Sequence, residues 1–168
     1  LALRDPLTQL PNRRLLADRM DTALARVARE PGYAFCLLYL DLDGFKPVND
    51  MHGHATGDAV LQEVARRLRR EVRGIDTVAR VGGDEFVVLL DGCTSRRRAA
   101  VVINRIREVI AEPITLRGFI ASIGVSIGCS FASDTSRTSA ELLDTADQQM
   151  YRDKLIRMRA ANSGSGVA

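Results

Sequence analysis

The sequence predicts an α/β fold of the α+β sandwich type, a central, mostly antiparallel sheet of about five strands surrounded by helices. Three observations lead there. Helical and strand-like segments follow one another in the order α-β-α-β-β-α-β-β-α, so each helix has a sheet to pack against. Two strand pairs read as hairpins, which a purely parallel, doubly wound sheet would not supply. The long helical segments carry their apolar residues in stripes. With 168 residues, 46% of them hydrophobic and 27% charged, the chain has an ordinary globular composition and enough length for one domain with a full core.

Asp5-Pro6-Leu7-Thr8-Gln9-Leu10-Pro11-Asn12 opens the chain with two prolines and a residue able to cap a helix. Leu15, Leu16, Met20, Leu24 and Val27 then recur at helical spacing, predicting a helix from about 12 to 29 that Pro31-Gly32 ends. Tyr33 to Leu40 is a continuous apolar run, the signature of a strand buried on both faces, and it delivers Asp41-Leu42-Asp43 at its carboxyl end. Gly44 to Gly57, rich in Gly, Asn, Asp and His, predicts a short helical turn and a loop. A helix follows from Gly57-Asp58 to about Val72, with Val60, Leu61, Val64, Leu68 and Val72 on one face and arginines mostly on the other.

Asp76 to Val81 and Phe86 to Leu90 form a hairpin around Gly82-Gly83-Asp84-Glu85. A basic linker, Arg96-Arg97-Arg98, leads into a helix that Glu112-Pro113 stops, and Ile114 to Phe131 reads as a second hairpin turning near Arg117-Gly118. Thr138-Ser139-Ala140-Glu141 is a capping box for a last helix to about Met158. The domain therefore covers residues 1–160, and the tail 161–168, with its Ser163-Gly164-Ser165-Gly166, reads as disordered or as a cloning remnant. A start at Leu1, without methionine, reads as a fragment of a larger multidomain protein.

Composition excludes some classes. No apolar run approaches the roughly 18 residues needed to cross a membrane, and the first segment lacks the layout of a signal peptide. Cys36, Cys93 and Cys129 form no C-x-x-C pair, and an odd count is a poor disulfide framework; buried free thiols in a reducing cytoplasm are the favoured reading over a redox role. The net charge of +3 is mild, and the excess of arginine over lysine suits a phosphate-bearing ligand.

The chemistry should sit where acids gather. If the Tyr33–Leu40 strand and the hairpin are sheet neighbours, Asp41 meets Asp84 and Glu85. Clustered carboxylates repel unless a cation lies between them, and Mg²⁺ takes one or two carboxylates with backbone oxygen, water and substrate phosphates. A divalent-metal phosphoryl-transfer site is the inference; the competing one is an ordinary exposed turn, since glycine and aspartate are common turn formers. Gly82 and Gly83, without Cβ atoms, would let a ligand approach the backbone, and Lys46 is placed to meet phosphate.

Several separated motifs together carry a resemblance. They are Gly82-Gly83-Asp84-Glu85-Phe86, Asp41-Leu42-Asp43-Gly44-Phe45-Lys46, Asn49-Asp50-Met51-His52-Gly53-His54 leading to Gly57-Asp58, and the opening Asp5 to Arg14. From about Asp5 to Lys154 the chain resembles the GGDEF family of diguanylate cyclases, whose palm-like fold is that of nucleotide cyclases. The resemblance implies condensation of two GTP into cyclic di-GMP with release of two pyrophosphates, Mg²⁺-dependent with two ions per site, Mn²⁺ being a possible substitute. It implies catalytic acids at Asp84 and Glu85, metal binding by Asp41, Asp84 and the Leu42 carbonyl, and guanine-edge contacts from Asn49 and Asp58. Phosphate contacts fall to Lys46, Lys154 and the backbone around Gly44-Phe45, with Gly82 and Gly83 at the substrate. One domain binds one GTP, so a homodimer is implied for catalysis.

Arg73-Gly74-Ile75-Asp76, with five residues between Asp76 and Gly82, matches the family's R-x-x-D inhibitory site for the product cyclic di-GMP, with Arg105 as a third member. One departure stands out: where the family carries an arginine four residues after its lysine, this chain has Met158, flanked by Arg157 and Arg159. The domain is expected in the cytoplasm, whether or not the full-length protein is tethered to a membrane. Attached sensory or effector domains are its expected partners, without nucleic acid or direct membrane contact. The alternative is a non-catalytic module that senses GTP or cyclic di-GMP for an attached domain.

Overall fold

The computed structural model describes residues 2–133 and 137–166. In chain order the elements are α1 (Arg13–Arg29), β1 (Phe35–Asp43), α2 (Phe45–His52), α3 (His54–Glu71), β2 (Thr77–Arg80), β3 (Glu85–Asp91), α4 (Arg96–Ala111), β4 (Ile114–Leu116), β5 (Phe119–Ala121), β6 (Gly124–Ala132) and α5 (Ser139–Gly164). The main sheet runs β2-β3-β1-β6 and all its pairings are antiparallel. The mixed α/β class and antiparallel sheet are those the sequence predicts. The strand count is four, not five.

The difference lies between Ile114 and Phe131, which do not form one hairpin. The turn at Arg117-Gly118 closes only a three-residue ribbon, β4 with β5, separate from the sheet. β6 instead pairs with β1 over nine residues, from Phe35 opposite Ala132 to Asp43 opposite Gly124. Local alternation cannot distinguish a partner next in sequence from one ninety residues away, because both satisfy the same backbone groups.

β1 is central in the sheet and covered on both faces, which is why its sequence is an unbroken apolar run. Cys36, Leu38, Leu40 and Leu42 pack with α3 and α4 residues such as Leu61, Leu68, Ile106 and Ile110. Phe35, Leu37 and Tyr39 pack on the other face with Leu16 and Met20 of α1 and Leu142, Ala146 and Met150 of α5. α5 approaches closely at Gly128 of β6, where a Cβ would stand 2.0 Å from the Ala146 carbonyl oxygen and 2.2 Å from the Met150 nitrogen.

The caps follow the sequence. The Asn12 side chain accepts from Leu15 N at 3.0 Å, and Thr138 Oγ1 accepts from Glu141 N at 3.1 Å, contacts of a kind that contribute about 1 kcal/mol each. Three boundaries differ. Gly44 to Gly57 is not a turn and loop: α2 occupies most of it, and α3 starts at His54 directly after Gly53. Arg96-Arg97-Arg98 is the first turn of α4, capped by Ser95, rather than a linker. α5 runs past Met158 to Gly164, so residues 161–164, expected in a disordered tail, continue the helix. Ala160 and Ala161, strong helix formers, carry the helix past Met158.

Candidate active site

The pairing of β1 with β3 brings the expected acids together. Asp41 lies opposite Glu85, and Leu42 N donates to the Asp84 carbonyl at 3.2 Å. Among the described residues, no three His, Cys, Asp or Glu side chains converge to hold a metal by themselves. The donors on offer are two neighbouring carboxylates, Asp41 and Asp84, with the Leu42 carbonyl between them in sequence. Such a hard-oxygen set fits Mg²⁺, which leaves coordination places for water and substrate phosphates.

Burial and then the Asp84 charge raise the Asp41 pKa from 3.8 to about 6, despite the nearby Lys154. Lys154 Nζ stands 3.3 Å from Asp41 Oδ2, 3.4 Å from Asp43 Oδ1 and 3.5 Å from the Leu42 oxygen. Burial works against the Lys154 ammonium, but Asp41 and Asp43 outweigh it and raise its pKa. A cation is therefore already welcome beside this carboxyl group. The sign of the linkage is definite: Asp41 binds its proton more tightly folded than unfolded, so its contribution to stability falls as pH rises from about 4 to about 6 and stays reduced above. In the absence of divalent cations, Asp41→Asn should flatten that slope in urea unfolding measured across this range. An unchanged slope would contradict the assignment.

Glu85 turns to the same sheet face, where Tyr39 donates its hydroxyl to Oε2 at 3.1 Å; burial and then Glu85 push the Tyr39 pKa up to about 12. The hairpin turn itself is braced. Arg80 donates from Nε and Nη2 to the Gly83 carbonyl at 3.1 and 2.9 Å, and from Nη1 to the Asp5 carboxylate at 3.1 and 3.2 Å. Arg13 Nη2 donates to the Val81 carbonyl at 3.0 Å. Burial would raise the Asp5 pKa, but hydrogen bonds from Thr8 and the Arg80 charge lower it overall. Asp5, Arg13 and Arg80 are thus supports of the signature turn that sequence reasoning did not identify. Their only signal was the company of Asp5 and Arg13 in the opening motif.

A cleft of about 440 Å³ opens at this end of the sheet, lined by residues that include Gly44, Phe45, Lys46, Asp84, Lys154 and Arg157. Phe45 and Asn49 both reach Gly57: a Cβ there would meet Asn49 Oδ1 at 2.2 Å and the tip of the Phe45 ring at 3.3 Å. Asn49 also contacts His54 Nδ1 through Nδ2 at 3.2 Å. Asp58, the next residue after Gly57, is exposed one turn into α3. A Cβ on Gly82 would come within 2.9 Å of Glu85 Oε2.

Met158 lines the cleft, and Arg157, one turn along α5 from Lys154, donates from Nε to Asp43 Oδ2 at 2.7 Å. Asp43 also accepts from Ser126 Oγ at 2.7 Å. Away from the cleft, Asp76 is nearly buried and accepts from Arg73 N at 2.9 Å, from Arg73 Nη2 at 3.1 Å and from Asp91 N at 2.9 Å. Arg73 Nη2 also donates to the Asp91 carbonyl at 2.6 Å. The structure brings Arg73 and Asp76 together, whereas Arg105 is paired with Glu71 at 2.9 Å.

The sequence model described as diguanylate cyclase, GGDEF domain, matches residues 2–159. The chain belongs to the GGDEF family. As a GGDEF domain it is 43% identical, over 92% of its length, to the bifunctional diguanylate cyclase/cyclic di-GMP phosphodiesterase MucR of Pseudomonas aeruginosa, of which it spans 22%. It spans between 18% and 42% of the length of other curated relatives that it matches. Among solved structures, the GGDEF domain of TpbB from P. aeruginosa matches at 41% identity with a TM-score of 0.84, over 90% of this chain and 88% of that one. The GGDEF domain of DgcB from Caulobacter crescentus, in complex with c-di-GMP, matches at 32% identity and 0.84, over 92% and 91%.

Proposed function

We propose that this GGDEF domain is a diguanylate cyclase, condensing two GTP molecules into cyclic di-GMP with release of two pyrophosphates. The observation that carries the reading is the meeting of Asp41 and Asp84 with Lys154 at the mouth of a cleft that Lys46 and Arg157 also line. Acids for a cation and bases for phosphates adjoin there, as phosphoryl transfer requires. Curated relatives at 42% and 41% identity, DgcP and TpbB of P. aeruginosa, are named diguanylate cyclases.

In the reaction the 3′-hydroxyl oxygen of one GTP bonds to the α-phosphorus of the other, the bond to the β-phosphate breaks, and pyrophosphate leaves; a second such step closes the ring. Two Mg²⁺ ions held through Asp41, Asp84 and the Leu42 carbonyl would supply Lewis-acid polarisation and ease loss of the hydroxyl proton. Lys46, Lys154 and Arg157 offset charge on the triphosphate, and the Gly44-Phe45 backbone covers it. Asn49 offers donor and acceptor to the guanine edge, and Asp58 accepts from its N1–H and amino group. Glu85, held by Tyr39, keeps the turn's second carboxylate beside Asp41. One domain carries one nucleotide, so two domains face each other in the active homodimer. The reaction belongs in the cytoplasm, where GTP is available, and attached domains would control the dimer. No helix among the described residues is long and apolar enough to cross a membrane.

Incubation of concentrated protein with GTP and Mg²⁺, followed by product chromatography, should yield cyclic di-GMP. Its absence even with a dimerising segment fused to the chain would refute the reading, as would a monomeric cyclic nucleotide as product.

Arg73 and Asp76 are proposed to bind the product and inhibit. The Arg73 guanidinium is half exposed and can turn to a phosphate or guanine edge, while buried Asp76 keeps its backbone partners. Arg105 would join them by releasing Glu71, an exposed pair worth less than about 1 kcal/mol. Arg73→Ala should weaken product inhibition about tenfold or more, the scale of a lost charge-assisted hydrogen bond, with little effect on the initial rate. Unaltered inhibition would remove Arg73 from the site.

A further inference from the structure

The three cysteines, far apart in sequence, gather near the end of β1 remote from Asp41. Cys36 precedes Asp41 by five residues, about 16 Å along a strand. In the β1–β6 register Cys36 faces Phe131 and Leu38 faces Cys129, so the two cysteines are diagonal neighbours. Their side chains lie on the same face of the sheet, with the sulfurs 3.2 Å apart. Cys93, two residues beyond the end of β3, interacts with Cys36 as well. All three are free thiols; Cys36 and Cys93 are buried, while Cys129 is partly open.

We propose that Cys129 and Cys36 form an oxidation site for hydrogen peroxide, with Cys129 as the attacking thiol and Cys36 as the resolving one. Access gives the order, since Cys129 is partly exposed whereas Cys36 is buried. Charge agrees with it. The hydrogen bond from the Cys36 thiol lowers the Cys129 pKa, the Arg96 charge adds to the effect, and burial opposes both. The same contact and burial push Cys36 up, keeping it a thiol. The Arg96 guanidinium is held nearby, 4.8 Å from the centre of the Phe131 ring. Thiolate character beside a cation, with a second thiol within reach, is the setting of a reactive rather than an inert cysteine.

The chemistry balances. The Cys129 thiolate attacks one peroxide oxygen, the O–O bond breaks, and hydroxide leaves, so that Cys129 becomes a sulfenic acid. The Cys36 sulfur then attacks the Cys129 sulfur, the S–O bond breaks, and water leaves. Overall two thiols are oxidised to one disulfide and one peroxide is reduced to two waters. The sulfurs must approach by about 1.2 Å to reach bonding distance. Diagonal strand neighbours typically have Cα atoms about 7–8 Å apart, beyond the usual disulfide span of about 4.4–6.8 Å, so the bridge would be strained and easily reduced. It is therefore a reversible mark rather than a structural staple, and it is independent of the cyclase reading.

The test treats reduced, folded protein with hydrogen peroxide and counts thiols after denaturation. The count should fall from three to one, peptide mapping should find Cys36 joined to Cys129, and dithiothreitol should restore all three. Cys36→Ser should stop at a Cys129 sulfenic acid that dimedone captures, and Cys129→Ser should slow thiol loss about tenfold or more. Three thiols surviving, a Cys36–Cys93 bond, or Cys93 reacting as fast as Cys129 would each overturn the proposal.

Discussion

Asp84→Ala should lower cyclic di-GMP formation by about a thousandfold or more while the protein stays folded. A metal's stabilisation of phosphoryl charge is worth several kcal/mol, and each 1.4 kcal/mol is about tenfold in rate. Asp84 is one of two carboxylates available for that task, and its partner cannot replace it from the next strand. The fold should survive because Asp84 contributes its backbone carbonyl, not its side chain, to the contact with Leu42. Removing its charge also relieves Asp41, whose raised pKa owes its second-largest part to Asp84. The variant therefore carries an internal check: the Asp41 titration, followed by NMR, should move down from about 6 toward 3.8. Lost turnover without that movement would mean the two carboxylates do not share a site, and retained turnover would remove Asp84 from the reaction.

Gly128→Ala should be the most damaging single methyl group in the sheet. Its Cβ would stand 2.0 Å from the Ala146 oxygen, 2.2 Å from the Met150 nitrogen and 2.8 Å from the Gln149 carbonyl carbon. All three are backbone atoms of α5 and cannot rotate aside, so the helix must move out by on the order of 1 Å. The cost should be about 3 kcal/mol or more, the upper range for overpacking a core. The same displacement draws Lys154 and Arg157 away from Asp41 and Asp43, so the folded fraction should also lose activity. Gly74→Ala is the control, since nothing stands within 4 Å of a Cβ there, and its stability should stay within about 0.5 kcal/mol of the parent. Equal urea midpoints for Gly128→Ala and the parent would show that α5 accommodates the methyl group.

Part of the site was legible because its residues are neighbours in sequence. Asp41, Leu42 and Asp43 follow an apolar run and had to lie at a strand end, and Gly82 to Glu85 had to be a turn. The supports were not legible. Arg80 braces the turn through Asp5, seventy-five residues away, and no local pattern announces such a pair. Arg157 shows the limit in another form. The sequence located the departure at Met158 and left two flanking arginines open; helix geometry places Arg157 on the Lys154 face of α5, where it reaches Asp43.

What the sequence determined by itself was most of the helices and strands, the mixed α/β class, the capped starts of α1 and α5, and the motifs that place the chain among GGDEF domains. Each of these is a matter of local periodicity, capping chemistry or contiguous motif. Tertiary structure alone decided that β6 joins β1 instead of closing a second hairpin, that α5 continues to Gly164, and that Cys129 meets Cys36. Those outcomes depend on pairings between distant segments, where burial and close packing select among partners that the local chain leaves equivalent. The signature turn was readable as a turn. That it stands beside Asp41, braced by Arg80 and faced by Lys154, was settled by the pairing of β3 with β1 and by the fit of α5 against Gly128.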